Sequence, residues 1–227
     1  MGWIVGGVLA VALIGFILYW QLGVAEGAYL GRRVVVILYD WYAPRYDRVK
    51  QFAPELDTVA LAVPIMKRLH QVGGSSPVVL DVATGTGRLP MVLLAQQAFH
   101  GHVVALDLSR RMLSIAQAKL SGHAERIAWG HGDAQRLPYK DGSMDAATCL
   151  EALEFFPDPQ AALRELIRVL KPGGLLLITN RVGPDAWKLP GRTQPTGSCV
   201  HNLRRLGLHE VIADQWLVDY DIIQATK

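Results

Sequence analysis

Cysteine is scarce in this chain of 227 residues, and the cysteines present do not form a metal-binding pattern. Cys149 and Cys199 stand far apart and outside any CxxC or Cys/His spacing. A disulfide framework needs several paired cysteines, and a structural zinc site needs closely spaced ligands. The sequence therefore predicts neither of these, predicts no metal site, and fits a reducing compartment.

Concentrated charge of one sign is also lacking. The formal net charge is +3, and the arginines occur in scattered pairs without interleaved aromatic residues. Because a nucleic-acid surface normally carries a basic patch or stripe, we expect no nucleic-acid partner. The hydrophobic content of 51%, by contrast, is enough to fill the core of one α/β domain with an additional segment.

Charged residues are absent from Trp3 to Leu22, WIVGGVLAVALIGFILYWQL. A run of about 20 apolar residues is long enough to cross a bilayer as a helix. A cleaved signal peptide is the alternative, but no basic residue precedes the run and no clear Ala-x-Ala site follows it. Residues 1–25 are therefore predicted to be a transmembrane helix.

Lysine and arginine are missing before this run, whereas several follow it closely: Arg32, Arg33, Arg45, Arg48 and Lys50. The positive-inside rule predicts a single-pass protein of the cell membrane whose catalytic domain is cytoplasmic. Gly2 and Gly6 form a small-xxx-small pair, a pattern that would suit docking of the helix with a membrane-protein partner.

Residues 26–52 are a juxtamembrane segment with a short apolar stretch, Val34 to Leu38, and several aromatic residues: Tyr39, Trp41, Tyr42 and Tyr46. The stretch is too short to span a bilayer. One interpretation is an amphipathic helix along the membrane interface, with its aromatic rings at the headgroups and its arginines on anionic lipid. The other is a lid over a ligand site. Both interpretations stay open at this point.

The segment from Val78 to Pro90, VVLDVATGTGRLP, reads as a buried strand that turns sharply into a helix. Gly85 and Gly87 lack a Cβ atom, so a ligand can lie against the backbone N–H groups at the start of the helix. Such glycine-rich turns bind dinucleotides, phosphates and S-adenosylmethionine alike. The turn therefore predicts a ligand site without specifying the ligand.

Strands and helices alternate through the rest of the chain. The further predicted strands are Val103–Leu108, a third strand that begins with Ile127–Trp129 and ends in His131, Gly132 and Asp133, then Met144–Leu150, Leu175–Thr179, and a terminal hairpin of Glu210–Trp216 and Val218–Ala225. The predicted helices are Pro54–Val72, Leu89–Ala98, a helix after Ser109, Ala161–Leu170 and a short one near Val200–Leu206. Residues 53–227 should therefore form a doubly wound, mostly parallel, seven-stranded Rossmann-like sheet with a C-terminal antiparallel hairpin.

Asp107 ends the second predicted strand, where an acid can accept hydrogen bonds from ribose hydroxyls. Capping of the next helix is the other interpretation of this residue. Ser109 already provides a natural N-cap before RRMLSIAQAKL, so the ribose role is favoured.

Four stretches in this order, LDVATGTGRL, VVALDLS, GDAQRLPYKDGSMDAATCLEALEFFPD and RVLKPGGLLLITN, resemble the class I S-adenosylmethionine-dependent methyltransferases. They cover roughly residues 78–180, and the LKPGG before the fifth strand makes the match specific. The chain is most similar to the small-molecule branch that includes ubiquinone and menaquinone methyltransferases. The upstream YDWYAPRYD, Tyr39–Asp47, also resembles that branch.

The resemblance implies an enzyme that uses S-adenosylmethionine and binds it through Asp81, Ala83, Gly85, Gly87, Asp107, Leu108, Asp133, Ala134 and Leu150. Asp81 would face the methionine ammonium, Asp107 the ribose diol, and Asp133 with the Ala134 backbone the adenine amino group. Leu150 and Glu151 would line the sulfonium and substrate side. Ala83 departs from the pattern, because many members have a glycine there.

Methyl transfer from a sulfonium needs mainly alignment, and a general base only when the nucleophile must lose a proton. The candidate catalytic residues are Glu151, His131 and Tyr46. Each also has a structural interpretation: Glu151 as a cofactor-side or structural acid, His131 as a solvated loop residue, and Tyr46 as an interface anchor.

The sequence thus predicts a membrane-anchored methyltransferase acting on a lipophilic small molecule, such as a quinone or isoprenoid precursor, that is dissolved in membrane lipid. One alternative is a non-catalytic subunit of a membrane complex that keeps the fold. Another is an NAD-dependent oxidoreductase, although residues 82–89 lack the GxGxxG spacing. The fourth strand is not followed by Asp/Asn-Pro-Pro-Tyr, which argues against methylation of nucleic-acid bases.

Overall fold

A seven-stranded sheet organises the protein, whose computed structural model describes residues 2–227. Its strands are β1 Val78–Val82, β2 His102–Asp107, β3 Ile127–His131, β4 Met144–Cys149, β5 Leu170–Arg181, β6 His209–Leu217 and β7 Tyr220–Thr226. The spatial order is β3-β2-β1-β4-β5-β7-β6. Strands β1 to β5 are parallel, and β7 runs antiparallel to both β5 and β6. The predicted doubly wound sheet with its terminal hairpin is confirmed.

Helices precede the sheet and cover both of its faces. They are α1 Gly2–Tyr19, α2 Arg32–Tyr42, α3 Tyr46–Lys50, α4 Pro54–Asp57, α5 Val63–Val72, α6 Arg88–Leu94, α7 Arg110–Lys119, α8 Pro159–Val169, α9 Gly183–Ala186 and α10 Thr196–Arg205. A wider helical turn, Thr58–Ala62, joins α4 to α5. The first helix, α1, continues as a similar turn through Val24.

The packing around β1 explains why the VVLDV run forms a strand. Val79 packs into the core beneath α5 and α6, whereas Leu80 and Val82 pack into the core beneath α8 and α10. A parallel strand covered on both faces requires apolar side chains on both, which the run supplies. The turn that follows β1 therefore starts from a buried strand, at the edge of the sheet where the parallel strands end.

Several predicted boundaries are wrong by a few residues. Helix α6 ends at Leu94 instead of Ala98, because the Gln96 side chain turns back and donates to the Val92 carbonyl at 2.8 Å. Strand β5 begins at Leu170 instead of Leu175, because Leu170 pairs with Met144 ahead of a register shift. Helix α10 begins at Thr196 instead of near Val200, directly after Pro195.

The N-terminal helix stands clear of the domain. Residues Trp3–Val24, 22 in number, form a candidate membrane span, and none of its most apolar window is buried in the protein. The chain then docks: Ala25 and Ala28 are buried against Phe155 and Leu189. The helix predicted for this region is present, and its end is fixed to the domain.

Candidate active site

A cleft with about 820 Å³ of empty space lies where the parallel strands end. Its floor comes from the segments that follow β1, β2, β3 and β4, and its roof from α2. The lining includes many of the predicted cofactor residues: Ala83, Gly85, Asp107, Leu108, Asp133, Ala134 and Leu150. The topology brings them together because parallel strands place their carboxyl ends at one edge of the sheet.

The turn after β1 has the unusual backbone that its sequence suggests. Ala83, Gly85 and Gly87 all have positive φ, at 54°, 55° and 86°. A Cβ atom on Gly87 would lie 2.9 Å from Leu120 Cδ1, so glycine also allows α7 to approach. Ala83 holds a left-handed conformation that glycine would adopt at lower cost, which explains why glycine is the common residue at this position.

Asp107 closes the turn from the side of β2. Its Oδ2 accepts from the Gly85 N–H at 2.8 Å, and its Oδ1 accepts from the Ser109 N–H at 2.7 Å. Burial raises the pKa of Asp107, and these backbone donors oppose that rise. Ser109 caps α7 by accepting from the Met112 N–H, as predicted. Asp107 therefore lines the cleft with carboxylate lone pairs still able to accept ligand hydroxyls.

Asp81 lies deeper, beside a smaller pocket of about 360 Å³ that adjoins the cleft. Its oxygens accept from the hydroxyls of Thr84 and Thr148, both at 2.6 Å. Burial raises the pKa of Asp81 to about 6, although the two threonine hydroxyls oppose the rise. A buried carboxylate with this pKa is poised to receive a cationic ligand group.

The far end of the cleft is formed around Asp133, directly after β3. Its Oδ1 accepts from the Gln135 N–H at 3.0 Å, and Arg32 of α2 forms an ion pair with its Oδ2. Ala134 is buried beside it. Arg32 thus fastens the first turn of α2 to this end of the cleft.

Further contacts fasten the segment that follows. Ser109 Oγ donates to Asp40, Thr86 Oγ1 donates to Asp47, and Lys119 pairs with Asp47 at 2.7 Å. The inner face of α2 places Val35, Val36 and Tyr39 in the lining. The segment from α2 to α3 therefore covers the cleft, which is the placement that a lid requires.

Of the three predicted catalytic residues, Glu151 and Tyr46 line the cleft and His131 does not. Glu151, with φ of 50°, pairs with Arg88 and Lys50, both at 2.6 Å. Tyr46 packs against the turn, and burial raises its pKa. The exposed His131 ring has Nε2 3.1 Å from the Leu108 carbonyl. His131 therefore lies beside the residues that line the cleft, with Nε2 at a backbone carbonyl.

Sequence reasoning missed Arg88, which connects three parts of the site. Its guanidinium binds both oxygens of Asp57, at 2.6 and 2.8 Å, and Glu151 Oε1 at 2.6 Å. It also lies between the rings of Phe52 and Trp216, 4.4 and 4.5 Å from their centroids. These partners are distant in sequence, so no spacing could have revealed them.

Part of the sequence matches a known protein family. A family model described as "Methyltransferase domain" matches residues 80–178, the stretch from β1 to β5. Residues 80–178 therefore carry a methyltransferase domain. S-adenosylmethionine is the cofactor of this family, as the resemblance implied.

The class I methyltransferase domain has relatives of known name. Over 150 residues the chain is 35% identical to a demethylmenaquinone methyltransferase of Lactiplantibacillus plantarum, covering 65% of this chain and 62% of that protein. The chain spans 54–64% of the length of the demethylmenaquinone methyltransferases that it matches.

Solved structures share the fold at lower identity. A Methanococcus maripaludis structure described as an S-adenosylmethionine-dependent methyltransferase superposes with a TM-score of 0.61 at 20% identity, over 83% of this chain and 93% of that one. A phosphoethanolamine N-methyltransferase of Haemonchus contortus, solved with S-adenosylhomocysteine, gives 0.59 at 16% identity, over 73% of this chain and 52% of that one.

The cleft fits the cofactor of this family. Carboxylates at the ends of β1, β2 and β3 suit a ligand that carries an ammonium, a ribose diol and an adenine amino group. The positive-φ turn leaves the Gly85 position open to a ligand, since a Cβ atom there would meet only the Tyr46 ring, at 3.9 Å.

Proposed function

We propose that this protein transfers a methyl group from S-adenosylmethionine to a small, lipophilic, quinone-like acceptor at a membrane. The observation that carries the proposal is the two-sided cleft. One side presents the cofactor carboxylates, and the other presents an apolar wall that includes Val35, Val36, Phe155 and Phe156. The demethylmenaquinone methyltransferases among the relatives support an acceptor with an aromatic ring and an apolar chain.

Each cofactor residue has a proposed role. The cofactor supplies a methyl group activated by a sulfonium. Asp81 holds the methionine ammonium, Asp107 accepts from the ribose hydroxyls, and Asp133 accepts from the adenine amino group. Leu150 and Glu151 directly follow β4 at the centre of the cleft and separate cofactor from acceptor. Alignment of two reactants in one cleft supplies about 7–11 kcal/mol at most.

Glu151 and Tyr46, two of the predicted catalytic residues, have positioning roles in this proposal. Glu151 is held by two cations, so its carboxylate is occupied and orders the end of β4. Tyr46 packs over the turn, where it excludes water from the reacting groups. Neither residue needs to act as a base for an acceptor that is already nucleophilic.

The outer face of the lid supports membrane contact. Arg33, Ile37, Trp41, Arg45, Arg48 and Val49 are exposed and recur at helical spacing along α2 and α3. We call these six residues the outer stripe. It combines three arginines with three apolar side chains, and the nearby Asp40 and Asp47 accept hydrogen bonds on the inner side instead. This pattern suits an anionic bilayer surface and continues from the α1 anchor, with the domain on the cytoplasmic side.

Calorimetric titration of the detergent-solubilised full-length protein tests the cofactor first. S-adenosylmethionine and S-adenosylhomocysteine are expected to bind, and NAD is not. Transfer of a labelled methyl group to membrane-extracted quinones that have first been reduced to quinols, followed by chromatography, then tests the acceptor. Binding of NAD alone would support an oxidoreductase, and well-folded protein that binds none of the three would support a non-catalytic subunit.

The same assay in anionic proteoliposomes tests the membrane contact. Arg33→Glu with Arg45→Glu and Arg48→Glu should reduce methylation of bilayer-dissolved acceptor several-fold while leaving cofactor affinity unchanged. Transfer to a short-chain, water-soluble acceptor serves as the control and should be retained. Equal activity of the variant on both acceptors would contradict the role of the outer stripe.

Cofactor binding is expected to strengthen with pH because of Asp81. With a pKa of about 6, this carboxyl is mostly neutral at pH 5 and mostly ionised at pH 7.5, so affinity for S-adenosylhomocysteine should rise about tenfold. Asp81→Asn should give a shallower pH profile between the same limits. A raised folded pKa makes the contribution of Asp81 to unfolding free energy fall between about pH 4 and 6, opposite to the affinity. An equal pH slope in both proteins would remove Asp81 from the binding site.

A further inference from the structure

Tyr39 lies inside the cleft and carries a hydroxyl that the proposed cofactor contacts do not use. Its ring contacts Phe155 edge-on, with centroids 5.9 Å apart, and lies 6.2 Å from the Tyr46 ring. The hydroxyl donates to Glu26 Oε2 at 2.7 Å. Tyr39 is therefore a polar group on the apolar side of the cleft, where the acceptor is proposed to bind.

Glu26 is held in place by a docked turn directly after the membrane anchor. Its φ is 49°, a conformation that is unfavourable for a residue with a Cβ atom. Arg192 donates to the Ala28 carbonyl at 2.7 Å, and the Tyr29 hydroxyl donates to the Pro190 carbonyl at 2.7 Å. The turn thus fixes a strained acid opposite Tyr39 through contacts with residues 189–192.

The direction of the hydrogen bond decides what this pair offers to a ligand. An ionised carboxylate only accepts, so the single hydroxyl proton of Tyr39 points to Glu26. Burial, with Glu26 as the next cause, raises the pKa of Tyr39 well above its usual value, so the phenol keeps this proton. The remaining lone pair of the Tyr39 oxygen can then accept from a ligand donor that reaches it from the cleft. A ligand ether or carbonyl would face a group that has no proton to give.

We propose that Tyr39, oriented by Glu26, selects acceptors that present a hydroxyl donor over acceptors that present only an ether or carbonyl oxygen. Tyr39 touches the acceptor, and Glu26 is a positioning residue that acts through Tyr39. The inference rests on the proposed function, because it assumes that the acceptor occupies the cleft beside Phe155.

Two probes of nearly equal size test the selection: 1-naphthol, which has a hydroxyl donor, and 1-methoxynaphthalene, which has none. Each is titrated by fluorescence into full-length protein in detergent with S-adenosylhomocysteine present, against empty micelles as the blank. One hydrogen bond predicts that the wild type prefers naphthol about five- to tenfold. Tyr39→Phe keeps the ring contacts and should reduce the preference to within twofold. Comparing the same two probes across variants cancels their different solubility in micelles.

Two further variants separate recognition from structure. Glu26→Gln replaces the carboxylate with an amide whose N–H can donate to the Tyr39 oxygen. The Tyr39 O–H can then point to the ligand, so the preference for naphthol over 1-methoxynaphthalene should decrease. Tyr139→Phe removes a hydroxyl that lies outside the cleft lining and away from the docked turn, and it should keep the full preference for naphthol. Affinity for S-adenosylhomocysteine should stay within twofold in all variants, which shows that the cofactor site is intact.

The outcomes distinguish this inference from the proposed function. If Tyr39→Phe binds both probes and keeps the wild-type preference, the hydroxyl selection is overturned and the proposed function stands. Equal binding of the two probes by the wild type would overturn the selection in the same way. If neither probe binds to the wild type while S-adenosylhomocysteine does, the aromatic acceptor is wrong and the inference falls with it.

Discussion

Asp107→Ala is expected to weaken binding of S-adenosylhomocysteine at least tenfold. Hydrogen bonds from ribose hydroxyls to a carboxylate are charge-assisted and contribute about 1.5–3 kcal/mol. The substitution also releases the Gly85 and Ser109 N–H groups, so the turn loses the support that holds its shape. Both effects act in the same direction. Calorimetric titration at a fixed pH measures the change.

Two further variants serve as controls for this prediction. Asp107→Asn keeps one carbonyl oxygen and should fall between wild type and alanine, since the charge is lost but one acceptor remains. Asp141→Ala removes a carboxylate that is 79% exposed and lies outside the cleft lining, and it should leave affinity unchanged. Unchanged affinity in Asp107→Ala would exclude Asp107 from the cofactor site.

Arg88→Met is expected to destabilise the protein by about 3–5 kcal/mol, the usual cost of leaving a buried charge without its partner. The side chains of Asp57 and Glu151 are 2% and 8% exposed; Asp57 would lose its ion-pair partner, whereas Glu151 would keep Lys50. For a chain of this size the loss corresponds to a decrease in melting temperature of the order of 10 °C. Thermal unfolding of the full-length protein in detergent measures it.

A double substitution distinguishes the lost ion pair from lost packing. Arg88 also lies between two aromatic rings, which methionine can still partly fill. Adding Asp57→Asn to Arg88→Met removes the orphaned charge, so the double variant should be more stable than Arg88→Met alone. Arg164→Met breaks an exposed pair with Asp158 and should change stability by less than about 1 kcal/mol. A double variant as unstable as the single one would indicate packing instead of charge.

Local pattern was enough to predict the sheet and the edge that carries the site. Runs such as VVLDV and VVALDL are apolar on both faces, and a strand of that kind is stable only in the middle of a covered sheet. Once the strands are parallel, Asp81, Asp107 and Asp133 must lie near one another, because each follows or ends a strand. The glycines of the turn after β1 indicate the same edge, because residues without a Cβ atom let a ligand approach the backbone there.

The sequence by itself therefore determined the class I fold, the ligand edge and the apolar helix that precedes the domain. Only the tertiary structure decided which side chains meet across that edge. Arg88 and Glu151 are 63 positions apart, and Arg32 and Asp133 are 101 apart, so no helix or strand periodicity relates them. The same holds for the placement of α2 over the cleft and for His131, which turns to the Leu108 carbonyl. Periodicity reports which face of one element is buried, whereas these pairings depend on how separate elements pack against each other.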